Sequence, residues 1–209
     1  KCKARTIHSW SGIKLAKGPK SKIIDGVLKN RRIVKEWRTT DILILDEVSM
    51  LSEKIFEILE EIGRRTRSNP RIFGGMQVVF LGDFFQLPPV GDHLEPDTQR
   101  FCFESEEWNT VFHITNQIQL IKIYRQTDEI YSSILNQIRE GKIKKKSNDL
   151  LSNYVGRNYD PTFITEPTKL YPTRNKVELI NSSKMASLIG TEKEYLIKYV
   201  TNLEMSKTE

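Results

Sequence analysis

Cysteine is scarce in this sequence. There are two in 209 residues, Cys2 and Cys102, and no Cys-x-x-Cys pair or Cys/His cluster. That argues against a zinc site or a disulfide framework and suits a reducing compartment. Histidine is equally sparse: His8, His93 and His113 lie far apart. No apolar run approaches the eighteen or so residues that a membrane-spanning helix needs, so no membrane association is expected. Behind Lys1-Cys2-Lys3-Ala4-Arg5 there is neither an initiator Met nor the apolar core of a signal peptide, and the chain reads as one that begins mid-sequence. Internal repeats and low-complexity linkers are also missing. What is present is 38% hydrophobic and 29% charged residues, enough for a core in a soluble protein of one large or two small domains.

Lys and Arg number 33 against 27 Asp and Glu, a formal charge of +6. Two clusters concentrate the excess: Lys29, Arg31, Arg32, Lys35 and Arg38, then Lys142, Lys144, Lys145 and Lys146. Each is either a solvated face or a track for a phosphate backbone.

Residues 41–51, DILILDEVSML, carry the clearest local signal. The apolar run from Ile42 to Leu45 suits a strand buried on both faces in a parallel sheet. Ser52 stands at an N-cap position before a helix to about Arg67, whose stripe is Ile55, Ile58, Leu59 and Ile62. Asn69-Pro70 stops it. A second strand is expected over Met76–Leu81. Further strands are expected at Leu120–Tyr124, Lys169–Tyr171 and Glu194–Val200. Helices are expected from about Asp128 to a stop at Gly141, and from about Asn175 to Leu188.

Two strands separated by a helix thus end in acids, Asp46-Glu47 and Gly82-Asp83. In α/β folds ligands bind at that edge of the sheet. The first pair has the form of a Walker B motif. Phosphoryl transfer needs a carboxylate to hold Mg²⁺ against the phosphate oxygens and a second to orient and deprotonate the attacking water. The plain alternative is a strand ending in two solvated acids. Gln86, on a loop pinned by Pro88 and Pro89, is suited to hydrogen-bond a γ-phosphate or that water without adding charge; an ordinary proline turn is the alternative.

The blocks TIHSWSGI (6–13), ILDEVSML (44–51), FGGMQVVFLGDFFQLPPV (73–90), FCFESEEW (101–108), IYRQTDEIYSSILNQIREG (123–141) and LYPTRNKVELIN (170–181) occur in order. Over residues 4–195 the chain resembles the Petite-integration-frequency (Pif) family of superfamily-one DNA helicases, in the RecD-like branch. The resemblance implies a RecA-like P-loop NTPase fold, a parallel sheet with flanking helices. Residues 1–117 would form a first RecA-like domain and 118–209 the start of a second, with 91–108 contributing to a strand-separating wedge. It implies Asp46 as the Mg²⁺ ligand, Glu47 as general base and Gln86 as γ-phosphate sensor. Asp83 would support that loop at the nucleotide, and Arg125 would act as an arginine finger. Thr6, His8 and Ser9 match a block that contacts the single-stranded DNA backbone, and Pro88 and Pro89 are grouped with them. Trp10 either underlies the DNA track or fills core.

The phosphate-binding loop Gly-x-x-x-x-Gly-Lys-Ser/Thr is absent. Lys14 and Pro19 stand where a loop ending at Lys20-Ser21 needs glycine, and Gly141-Lys142 runs into Ile143. The family carries that loop upstream of the first block, so the chain reads as an internal piece, inactive alone. The implied parent is an ATP-dependent 5′-to-3′ DNA helicase of genome maintenance. It would be intracellular and DNA-associated, acting as a monomer on single-stranded and forked DNA. A non-catalytic nucleic-acid-binding remnant of a mobile element is the rival reading.

Overall fold

The computed structural model describes residues 4–157, 168–191 and 193–196. They fall into two compact units, Lys1–Asn153 and Tyr154–Glu209.

In the first unit, a short helix α1 (Ile7–Ser11) is followed by α2 (Lys20–Leu28) and α3 (Arg31–Thr39), then strand β1 (Ile42–Leu45). Helix α4 (Glu53–Arg67) leads to β2 (Gln77–Phe80), and α5 (Trp108–Val111), α6 (Glu129–Arg139) and α7 (Lys145–Ser152) complete the unit. The architecture is α/β. β1 and β2 pair in parallel, Ile42 opposite Gln77 through Leu45 opposite Phe80, with α4 as the crossover.

The N-cap of α4 is Ser52, whose side chain accepts from the Ile55 amide at 3.3 Å. Ile58, Leu59 and Ile62 are fully buried together with Phe56, as the three-to-four spacing requires. They pack with Trp37 of α3, Ile24 and Val27 of α2, and Phe73. Each such side chain contributes about 1.5–3 kcal/mol through burial. Gly63 lets α4 approach the Phe73 backbone, where a Cβ would stand 2.8 Å from the carbonyl carbon. Arg67, at the end of α4, donates to the carbonyls of Trp37, Arg38, Thr40 and Gly74, which would otherwise lack partners at the end of α3 and in the turn before β2.

Several expectations are corrected. The run Ile42–Leu45 is covered on one face only: Leu43 is 8% exposed, but Ile42 is 53% and Ile44 62% exposed. Side chains alternate along a strand, and no described residues cover the second face. Leu120–Tyr124 is irregular and largely exposed, and Lys169–Tyr171 is not a strand either. Strands need a neighbour for their amides and carbonyls, and none of the described segments pairs with either. The described part of Glu194–Val200, up to residue 196, is likewise irregular, and the rest lies outside the described residues.

Helix α6 forms as expected, capped by Asp128 and followed by Gly141 at φ +67°. Of Tyr131, Ile134, Leu135 and Ile138, which recur along one face of the helix, only Ile134 is buried. The sequence places a domain boundary between residues 117 and 118; compactness divides the chain between Asn153 and Tyr154. In the second unit the described secondary structure is α8 (Arg174–Ala186), largely exposed.

Candidate active site

The ends of β1 and β2 are stitched together beyond the ladder. The Leu81 amide donates to the Leu45 carbonyl at 2.8 Å, and the Val48 amide donates to the Leu81 carbonyl at 3.0 Å. Asp46-Glu47 and Gly82-Asp83 therefore stand side by side at the C-terminal edge of one parallel sheet. Gly82 is what allows the approach, since a Cβ there would lie 2.8 Å from the Val48 amide nitrogen.

Asp46 and Glu47 are both exposed, while Val48 and Ser49 immediately after them are buried. The acids thus project from an anchored backbone. Asp46 Oδ1 accepts from the Glu47 amide at 2.9 Å, and Glu47 adopts left-handed angles, φ 56° and ψ 47°. That conformation costs a non-glycine residue about 1–2 kcal/mol, which the surrounding hydrogen bonds offset.

Asp83 organises the next loop. Its Oδ1 accepts from the Phe85 amide at 3.0 Å, and its carbonyl accepts from the Gln86 amide at 2.9 Å. Phe84 turns inward against Phe103 (centroids 4.8 Å apart), Phe101 (5.9 Å) and Trp108 (6.2 Å). The aromatic residues of the 101–108 block thus anchor the Gln86 loop. Cys102 is buried among them, and burial pushes its thiol up to about 12, leaving an inert core side chain. Gln86 is exposed, as is Pro88, while Pro89 is buried.

Among the described residues no three His, Cys, Asp or Glu side chains gather as a protein-built metal cage. A magnesium ion held by one carboxylate and nucleotide phosphates needs none, and an exposed Asp46 at a rigid strand end fits that role.

Thr6 caps α1, its Oγ1 accepting from the Ser9 amide at 3.3 Å, which leaves the hydroxyl proton free to donate. His8 is half-buried and Ser9 exposed. Trp10 packs on Trp37, centroids 4.5 Å apart, and Trp37 Nε1 donates to the Ser11 carbonyl at 3.2 Å. The aromatic position of this block therefore serves the core beneath α1. The basic residues of α3 and of the 142–146 stretch are exposed, although Arg38 also donates to the Thr66 carbonyl at 2.6 Å. The expected wedge segment is tied to the body. Lys54 pairs with Glu95 at 2.6 Å, Lys20 with Asp97 at 3.3 Å, and the Gly18 amide donates to Glu95 at 3.2 Å.

Arg125 lies exposed in a bend ahead of α6. The arginine that engages a site carboxylate is one sequence reasoning passed over. Arg139 donates through Nε to Asp83 Oδ2 at 2.8 Å and through Nη2 to Oδ1 at 2.9 Å, and its guanidinium lies 4.5 Å from the Phe85 ring centroid. Arg139 holds the Asp83 carboxyl below the usual carboxylate range. Its only signal in the sequence was its place before the Gly141 stop.

A family profile described as PIF1-like helicase matches residues 2–149. The chain belongs to this family. "ATP-dependent DNA helicase RRM3" of Saccharomyces cerevisiae is 40% identical over 190 residues, covering 91% of this chain and 26% of that protein. The crystal structure of Pif1 helicase from Candida albicans superposes with a TM-score of 0.76 at 33% identity, over 89% of this chain and 41% of the other. A Bacteroides Pif1 helicase in complex with ADP-AlF3 and ssDNA gives 0.66 at 30% identity, over 76% and 38%. The α/β architecture here is accordingly the RecA-like fold of Pif1 helicases. The chain spans about a quarter of the length of the curated relatives it matches.

Proposed function

We propose that this chain carries the acid pair, sensor loop and arginine finger of an ATP-dependent DNA helicase. The helicase couples ATP hydrolysis to 5′-to-3′ movement along single-stranded DNA and to unwinding of forked duplexes in genome maintenance. The observation that supports it is the apposition of the two strand ends: Asp46-Glu47 and the Asp83–Gln86 turn share one sheet edge, joined through the Val48–Leu81 and Leu81–Leu45 hydrogen bonds.

In this reading Asp46 is the carboxylate that holds Mg²⁺. The ion, when bound with ATP, neutralises charge on the phosphate oxygens. Glu47, displayed by its left-handed backbone, takes the proton of the in-line water. Gln86 hydrogen-bonds the γ-phosphate or that water, and Arg125 supplies positive charge to the transition state. Residues 1–117 belong to the first RecA-like domain and 118–209 begin the second. Thr6, His8 and Ser9 donate to DNA phosphates without reading sequence, which suits a motor that must move along any strand. The protein acts as a DNA-associated intracellular monomer.

The test is polarity. The full-length protein should separate a duplex bearing a 5′ single-stranded tail in the presence of ATP and Mg²⁺, and should fail on the same duplex with only a 3′ tail. Equal unwinding of both, or none of either despite DNA-stimulated hydrolysis, would refute the assignment.

A further inference from the structure

We propose that Arg139 is the positioning residue of the Gln86 loop, clamping Asp83 from the end of α6 and so fixing where Gln86 stands at the strand ends. The inference rests on the role given to Gln86 above and assigns a function to a residue outside the acid pair, the sensor loop and the arginine finger.

Three features of the geometry carry it. The first is the two-pronged bond: Arg139 Nε and Nη2 meet the two different oxygens of Asp83 at 2.8 and 2.9 Å. Only a guanidinium matches a carboxylate in this way, whereas a lysine would offer a point charge. The second is that the same guanidinium lies over the ring of Phe85, 4.5 Å from its centroid. Arg139 therefore grips two of the three residues that precede Gln86. The third is that Asp83 is the hub of the turn, with its side chain holding the Phe85 amide and its carbonyl holding the Gln86 amide. Rotating the carboxylate would release the Phe85 amide and leave the turn held at Gln86 by the backbone bond alone.

The loop is thus held from two sides. Phe84 faces the aromatic residues of the 101–108 block, and Phe85 faces Arg139. The inner side is core and would survive loss of the arginine; the outer side would not. The pair contributes little to global stability, because the side chains of Arg139 and Asp83 remain 39% and 28% exposed and such pairs are weak in water. A contact that adds little stability yet holds the catalytic loop by both its hub and its exposed aromatic is suited to placement.

The expected consequence is selective. In the full-length protein, Arg139→Ala should lower DNA-stimulated kcat on the order of tenfold, since sub-ångström displacement of a catalytic group has effects of that scale. KM for ATP and the Kd for single-stranded DNA should stay within about twofold, because Arg139 touches neither ligand in this reading. Arg139→Lys keeps the charge but loses the fork, and should fall between wild type and alanine. In a Gln86→Ala background, Arg139→Ala should cost nothing more, as a residue acting through Gln86 must. An equal further loss in that background would overturn the proposal.

If Gln86→Ala itself left kcat unchanged, the sensor reading of Gln86 would fall. The clamp is still decided by amide hydrogen exchange on the 209-residue chain, where Arg139→Ala should speed exchange at Phe85 and Gln86 by at least about fivefold without lowering Tm. Unchanged exchange at both amides would show that Arg139 does not hold the loop.

Discussion

Replacing Gly82 by alanine tests the geometry that brings the two strand ends together. The backbone of Gly82 does not occupy the left-handed region, so alanine meets no conformational objection there. The objection is space. A Cβ would stand 2.8 Å from the Val48 amide nitrogen, 2.9 Å from Val48 Cγ1 and 3.5 Å from the Glu47 carbonyl carbon. The closest of these is short of ordinary van der Waals contact by about 0.6 Å. The Val48 methyl can rotate away, but the amide is bonded to the Leu81 carbonyl at 3.0 Å and Val48 is buried. Either the strand ends part or Glu47 and Val48 shift together.

Overpacking of this kind costs about 1–3 kcal/mol. For a chain of this size that lowers Tm by roughly 3–10 °C. Because the displaced backbone carries Glu47, kcat of the full-length ATPase should also fall about tenfold or more. A circular-dichroism melt of the 209-residue chain and a steady-state ATPase assay of the full-length protein read the two effects. A Tm within about 1 °C of wild type together with an unchanged kcat would refute the claimed contact.

The remaining predictions concern single positions. Glu47→Gly relieves the left-handed backbone, so stability should hold or rise by up to about 1 kcal/mol while ATPase activity disappears; a marked drop in the denaturant midpoint would show that the Glu47 side chain supports the fold. Gly26→Ala, in α2 with nothing within 4 Å of the new Cβ, should stabilise by about 0.5–1 kcal/mol. Gly63→Ala in α4 should destabilise, because its clash with the Phe73 backbone at 2.8 Å outweighs the same helix-propensity gain, and shifts of equal sign in chemical denaturation would contradict the packing. Arg139 lowers the pKa of Asp83, so the clamp's contribution is fully present above the unfolded aspartate value near about 4 and is lost as pH falls through the lower folded value. Amide exchange at Phe85 and Gln86, corrected for its intrinsic pH dependence, should therefore be flat between about pH 6 and pH 8; a titration there would mean another group controls the loop.

Much of the first unit was legible because its signals are local. The apolar run at 42–45, the Ser52 cap and the three-to-four stripe of α4 each follow from nearest-neighbour chemistry, and all three elements form where the residues place them. The acid pair was legible for the same reason, as an abrupt change from apolar to charged at a strand end. What was not legible depends on distant partners. Leu120–Tyr124 has the composition of a strand, but a strand exists only where a neighbour takes its hydrogen bonds, and none of the described residues does. The exposed faces of Ile42 and Ile44 follow the same logic. Arg139 escaped notice because a lone arginine at a helix end most often meets solvent. Its significance appears only when the fold brings Asp83, 56 residues earlier, within 2.8 Å. Pro88 and Pro89 were grouped with DNA contacts from a motif, and of the two only Pro88 is exposed, a difference that two adjacent prolines do not reveal in sequence.

The central claim is that Glu47 is the base of an ATPase built on these strand ends. Glu47→Gln in the full-length protein tests it directly, because the amide keeps the size of the side chain and removes its basicity. Steady-state hydrolysis with saturating single-stranded DNA should fall roughly 10²-fold or more, the scale of a lost general base, while ATP and DNA affinities stay within about twofold. Undiminished hydrolysis, or a wild-type protein that binds DNA yet never hydrolyses ATP, would contradict the account.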